Sequence, residues 1–170
     1  DFMRKIKITD DVIFESETYD RYDTAIVKYN ENDEVEWAKH ISAMADVVTN
    51  KAIQTSDDGI VVIGGTTAKK VNIADEQIFT QNNAYEMGFI LKYNNNGDLL
   101  WSSKTELEPV SSSTGGSMGA GATYLGIRKV IETSDGNYVT STRYGDSEDT
   151  YKMKLQNGTE LNSYGKGDIA

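Results

Sequence analysis

One stretch of this chain occurs twice, and that repetition limits what it can fold into. Ala25-Ile26-Val27-Lys28-Tyr29-Asn30 returns as Phe89-Ile90-Leu91-Lys92-Tyr93-Asn94. Each copy runs on into a polar turn, an apolar residue and a tryptophan, Asn32-Asp33-Glu34-Val35-Glu36-Trp37 and then Asn96-Gly97-Asp98-Leu99-Leu100-Trp101. The lysines and the tryptophans are both 64 residues apart. A second signature follows each: Ile53-Gln54-Thr55-Ser56-Asp57 returns as Ile131-Glu132-Thr133-Ser134-Asp135, with Gly59 and Gly136 close behind. That offset is 78, so the second copy carries 14 extra residues (78 − 64) between its tryptophan and its Thr-Ser-Asp turn. A third copy starts near Met153, with Asn157-Gly158 as its turn and Asn162 where the tryptophan would stand.

Such a unit is made of strands and turns. Ala25 to Tyr29 and Phe89 to Tyr93 hold the β-branched and aromatic residues that strands favour. Asn94-Asn95-Asn96-Gly97-Asp98 reads as a turn, because Asn and Gly accept positive φ at low cost. Val35 to Lys39 and Leu99 to Ser103 give the return strands. The Thr-Ser-Asp elements turn a second hairpin into Ile60 to Gly64 and Tyr138 to Thr142. Ile41, Met44, Val48 and Ala52 also fit helical spacing, but the repeat register favours strand over Ile41 to Ile53.

The Lys-turn-Trp segments and the Thr-Ser-Asp turns resemble the tandem repeats of secreted or cell-surface bacterial and archaeal proteins related to WD40-like and Kelch-like β-propellers. The resemblance covers roughly Asp23 to Leu161. Asp33 in place of the turn glycine, Asn137 in place of the second glycine of the later turn, and Asn162 in place of tryptophan depart from the pattern. The resemblance implies an all-β fold of antiparallel four-stranded blades, of which this chain supplies about three, a partial ring where propellers close with four to eight. Either the missing blades lie outside this segment, the favoured expectation, or chains associate to complete a ring, or the sheets pack as an open sandwich. It also implies an extracellular or cell-surface location. The expectation is one β-propeller-like module over residues 1–170, with units at about 23–66 and 86–144 and an incomplete one at 151–170. The first residue is Asp1, not methionine, which fits a processed protein or an excised piece of a longer one.

Composition narrows the partners. Seventeen basic residues stand against 27 acidic ones, a net charge of −10, so the field has the wrong sign for nucleic acid or anionic lipid. The longest apolar runs, such as Ile60 to Ile63, fall far short of a spanning helix, so no membrane insertion is expected. With no cysteine there is neither a disulfide nor a thiolate metal site.

Several motifs invite a chemical reading. Gly115-Gly116-Ser117-Met118-Gly119 matches a hydrolase nucleophile elbow, which needs a strand before it, a helix after it and a later histidine. The flanks here are Ser/Thr/Gly/Ala-rich and the one histidine, His40, lies upstream, so the segment from about Thr105 to Thr123 reads as a surface loop. Gly119-Ala120-Gly121 lacks the third glycine of a nucleotide fingerprint, Tyr124 standing in its place. His40 has no companion ligand in sequence and reads as a strand residue. Asp57-Asp58 and Asn94 to Asp98 lack the ligand spacing of an EF-hand loop. Thr55-Ser56-Asp57-Asp58-Gly59 loosely resembles the aspartate box of sialidases, in which the carboxylate accepts backbone N–H bonds. Tyr29 and Tyr93 are read as packing residues, Tyr19 and Tyr22 as exposed ones that suit a protein or glycan surface.

The sequence therefore offers no catalytic, cofactor-binding or metal-ligating residue. It points to a non-catalytic interaction or structural module whose partner is an unidentified protein or glycan. The alternative is an extracellular carbohydrate-active domain using a pair of Asp/Glu carboxylates on its loops. Trp37 and Trp101 are expected at equivalent, buried places.

Overall fold

A computed structural model describes residues 1–16, 18–73, 76–80, 86–109, 126–144, 151–155, 159–162 and 168–169. The order of elements is β1 Lys5–Lys7, β2 Ile13–Glu15, β3 Thr24–Tyr29, β4 Val35–Ala43, β5 Val47–Gln54, β6 Ile60–Thr66, β7 Lys70–Ile73 and β8 Glu76–Thr80. Then come β9 Glu86–Tyr93, β10 Leu99–Pro109, β11 Ile127–Glu132, β12 Tyr138–Tyr144, β13 Tyr151–Leu155, β14 Glu160–Asn162 and β15 Asp168–Ile169. The fold is all-β, every described strand pair is antiparallel, and the stretch from Ile41 to Ile53 is strand (the end of β4, then β5) broken at Met44 to Asp46. Among the described residues no helix is long and apolar enough to cross a membrane.

Three sheets stack. A four-stranded sheet runs β3-β4-β7-β8, a six-stranded one β14-β13-β10-β9-β6-β5, and a three-stranded one β11-β12-β15; β1 and β2 form a separate hairpin. Within the six-stranded sheet, the hairpins β5–β6 and β9–β10 pair through β6 and β9 into a four-stranded antiparallel unit. The described strands do not close into a ring.

The middle sheet is covered on both sides, and its sequence shows why. Successive strand residues point to opposite faces. Val62, Phe89, Leu91 and Tyr93 face the four-stranded sheet and pack with Ile41, Val71 and Phe79. Val61, Ile63 and Ile90 face the other way and pack with Ile127 and Val130. A strand buried on both faces reads as a continuous apolar run, as Ile60 to Ile63 does.

The repeated hairpins share their geometry. Lys28 stands opposite Trp37 and Lys92 opposite Trp101, with a bulge beside the tryptophan each time. In the Thr-Ser-Asp hairpins, Ile53 faces Val61 and Ile131 faces Val139, and the bulges skip Asn50 and Arg128, again 78 residues apart. All four turns close with the same pair of backbone bonds, for example Thr55 N–H to Gly59 O and Asp58 N–H to Thr55 O. The left-handed residue is Asp33, Asp58, Gly97 or Gly136. Gly59 is therefore not the counterpart of Gly136. It is needed because a Cβ there would lie 2.6 Å from Lys92 Nζ and from Tyr93 O.

Several expectations need correction. Trp101 is 39 % exposed rather than buried, with Tyr138 of β12 tilted against its ring. Tyr29 is 53 % exposed at the end of an edge strand, whereas Tyr93 is fully buried. Thr105 to Pro109 is not loop: β10 runs on to Pro109, pairing with β9 as far as Leu107 and with β13 from Thr105. The rest of that expected loop, including Ser117, lies outside the described residues. The third copy forms its hairpin, with Lys152 across from Asn162. Its β13 pairs with the second half of β10, from Thr105 to Pro109. The β7–β8 hairpin had no counterpart in the sequence reading.

Candidate functional site

The densest polar cluster lies where the turn after β5, strand β9 and strand β12 meet. Lys92 sits in β9 between Leu91 and Tyr93 and is 2 % exposed. A buried ammonium must be paired, since desolvation penalises the charged form. Its Nζ donates to the Thr55 hydroxyl and to Asp57 Oδ1, the latter at 2.6 Å. It also lies 5.8 Å from the centre of the Tyr138 ring, a cation–π distance. Tyr138 in turn meets Trp101 at 5.8 Å between ring centres.

Asp57 is held through one carboxylate oxygen, while its side chain stays largely exposed. Its Oδ1 accepts from the Thr55 hydroxyl at 2.5 Å and from the Gly59 N–H at 3.1 Å, besides Lys92. The Lys92 bond first, then Thr55 and the Gly59 N–H, hold its carboxyl well below the usual carboxylate range. Burial works against the Lys92 ammonium, but the Asp57 bond and Tyr138 outweigh it, leaving the lysine above its ordinary value. Asp135 repeats the turn chemistry, accepting from the Thr133 hydroxyl and the Asn137 N–H, and is lowered for that reason.

A second bond locks one hairpin to the next. Glu132 at the end of β11 accepts from the Ser56 N–H at 2.7 Å and from its hydroxyl at 2.9 Å. Asn50, the bulge residue of β5, donates its amide to the Ile127 carbonyl at 2.8 Å. The first lysine has another role: Lys28 donates to the Asn95 carbonyl at 3.3 Å and pairs with Glu36 at 2.6 Å. Trp37 donates to the same carbonyl at 3.0 Å and lies over Gly97 and near Tyr93.

His40 belongs to a different corner. Its Nε2 is 2.9 Å from Oδ2 of the fully buried Asp23, and its ring is stacked on Phe14 and tilted against Phe2. It thus fastens the amino-terminal segment to β4. Tyr19 and Tyr22 are exposed, as the sequence reading expects. Among the described residues no group of three His, Asp or Glu side chains could hold a metal ion.

Sequence reasoning named Asp57, Asp135 and His40 but missed Lys92, Ser56, Glu132 and Tyr138 as a set. The signal available was Lys92 itself, a charge inside Phe89-Ile90-Leu91-Lys92-Tyr93 that a buried strand tolerates only with a partner. Chemically, the cluster binds its own charges to each other. Proton transfer at neutral pH needs a group poised near that pH. Here the carboxylate is pushed down and the ammonium up. Compared with known proteins, the chain matches no family model, no curated protein and no solved structure.

Proposed function

We propose that the chain is a non-catalytic interaction or structural module of a bacterial cell-surface or secreted protein, with its sheets arranged as propeller-like blades. The observation that carries this reading is the use made of Asp57. In a catalytic loop that carboxylate would face a substrate; here Lys92, Thr55 and Gly59 take it up within the turn. Glu132 is likewise taken up by the Ser56 turn of the preceding hairpin. Asp57 and Glu132 thus join neighbouring strands and hairpins to one another. The exposed Tyr19, Tyr22 and Trp101 offer the amphipathic rings that protein and glycan partners favour.

The test is to incubate the purified chain with ester and glycoside substrates and, separately, to measure its binding to cell-wall glycans and host proteins. Binding without turnover is the expected result. Turnover lost in Asp57→Asn or Asp135→Asn without loss of folding would replace this reading with the carbohydrate-active one. Turnover lost in Ser117→Ala would point to an esterase.

A further inference from the structure

The two Thr-Ser-Asp hairpins have the same register, the same bulge and the same turn, yet only one of them is covered. In the β5–β6 hairpin the cross-strand pair Ile53 and Val61 packs under Ile127, Val130 and Tyr138 of the next hairpin, and Val61 is fully buried. The Ser56 turn above it holds the Glu132 carboxylate through a backbone N–H and a hydroxyl. The corresponding pair in the β11–β12 hairpin, Ile131 and Val139, is 57 % and 54 % exposed. Ser134, the counterpart of Ser56, stands exposed at its turn, with no hydrogen bond to its N–H or its hydroxyl among the described residues.

We propose that the outer face of the β11–β12 hairpin, formed by Ile131, Val139 and the Ser134 turn, is the docking site for one further hairpin of the same kind. Its occupant carries aliphatic and aromatic residues at the places of Val130 and Tyr138 and a glutamate just before its own turn. The face continues an interface already built inside the molecule: the same apolar pair lies beside the same turn donors. The complementary surface is the one that β11–β12 itself presents to Ile53, Val61 and Ser56. A directly opposed aliphatic pair left in water gains by burial, at roughly 25 cal/mol per Å² of apolar surface removed. A carboxylate at Ser134 would satisfy both donors with charge-assisted bonds. The proposal stands on the hairpin equivalence alone and would hold equally for an enzyme carried on these sheets, so its failure leaves the functional reading untouched.

The chain has no cysteine, so Val139→Cys places a single thiol on the face. A copy of residues 127–142 is appended to the carboxyl end of the full chain through a Gly/Ser linker of about 15 residues, which reaches on the order of 20 Å. Tethering of this kind supplies an effective concentration in the millimolar range. The expected result is at least a tenfold slowing of thiol modification relative to the unextended Val139→Cys chain. A tethered copy carrying Val130→Lys, Glu132→Lys and Tyr138→Lys should give no slowing. Ser134→Pro in the host, at a turn position where proline is tolerated, should reverse part of the protection. Equal rates with and without the native copy would overturn the proposal, as would equal protection by the altered copy. Protection of the unextended chain that grows with its concentration would assign the face to a second copy of the chain, and so would also overturn it.

Discussion

Lys92 in β9 and Asp57 in the turn between β5 and β6 stand 2.6 Å apart between ammonium and carboxylate, although 35 residues separate them in sequence. The lysine is buried while the aspartate is largely open to water. Lys28, its counterpart by sequence, makes its bonds at an exposed rim. Lys92→Met should therefore lower the Tm clearly, since it removes a donor from the buried Thr55 hydroxyl and the ion-pair partner of Asp57, whereas Lys28→Met should lower it little. Thermal unfolding followed by circular dichroism compares the two, and equal losses would contradict the difference in burial.

The same pair sets an acid limb. Asp57 has a folded pKa below its unfolded one, so the unfolded chain binds more protons in that window and stability rises with pH there. The contribution is complete above the ordinary carboxylate range, about pH 4 to 5, and is lost as pH falls toward the folded value. Asp135 acts with the same sign. The native chain should lose Tm on acidification below about pH 4 more steeply than Asp57→Asn, and more steeply still than Asp57→Asn with Asp135→Asn. Parallel curves would show that neither turn carboxylate contributes.

The tryptophans should not respond alike. Trp37 is half-buried, donates to the Asn95 carbonyl and packs on Gly97. Trp37→Ala should cost about 2–3 kcal/mol, short of the value for full burial. Trp101 is more exposed, with Tyr138 as its ring partner, and Trp101→Ala should cost about 1–2 kcal/mol. Urea titration of both variants reads the difference directly.

Two glycines with positive φ separate backbone strain from crowding. A Cβ on Gly136 would meet nothing within 4 Å, so Gly136→Ala should cost only the left-handed penalty of about 1–2 kcal/mol. A Cβ on Gly126 would run into the backbone of Gly64 and Gly65, where the third sheet begins against the second. Gly126→Ala should cost about 3 kcal/mol or more, through the combined strain and overpacking. Similar denaturation midpoints for the two variants would argue against that close approach.

The hairpins were legible in the sequence because turn chemistry and strand alternation are local. Asn94 accepts from Asn96 and Asp98 within five residues, and Thr55 donates to Asp57 within three. What each hairpin touches is not local. Trp37 and Trp101 share a register, but the first meets another hairpin's turn and the second the side of Tyr138, so identical positions carry different burial. Lys28 and Lys92 diverge for the same reason. The β7–β8 hairpin escaped notice because it carries neither signature, and the pairing of β13 with β10 because nothing in Thr105 to Pro109 marks it as strand.

The path of the chain among the sheets bears on how it comes apart. From β3 and β4 in the first sheet it crosses to β5 and β6 in the second, returns to the first for β7 and β8, and goes back to the second for β9 and β10. It then lays β11 and β12 in the third sheet, places β13 and β14 in the second, and ends with β15 in the third. No single cut in the backbone separates the second sheet from the first or from the third. A string of side-by-side units can lose its members one at a time, but a weave of this kind has no member to lose. Its sheets should melt together, in one calorimetric transition.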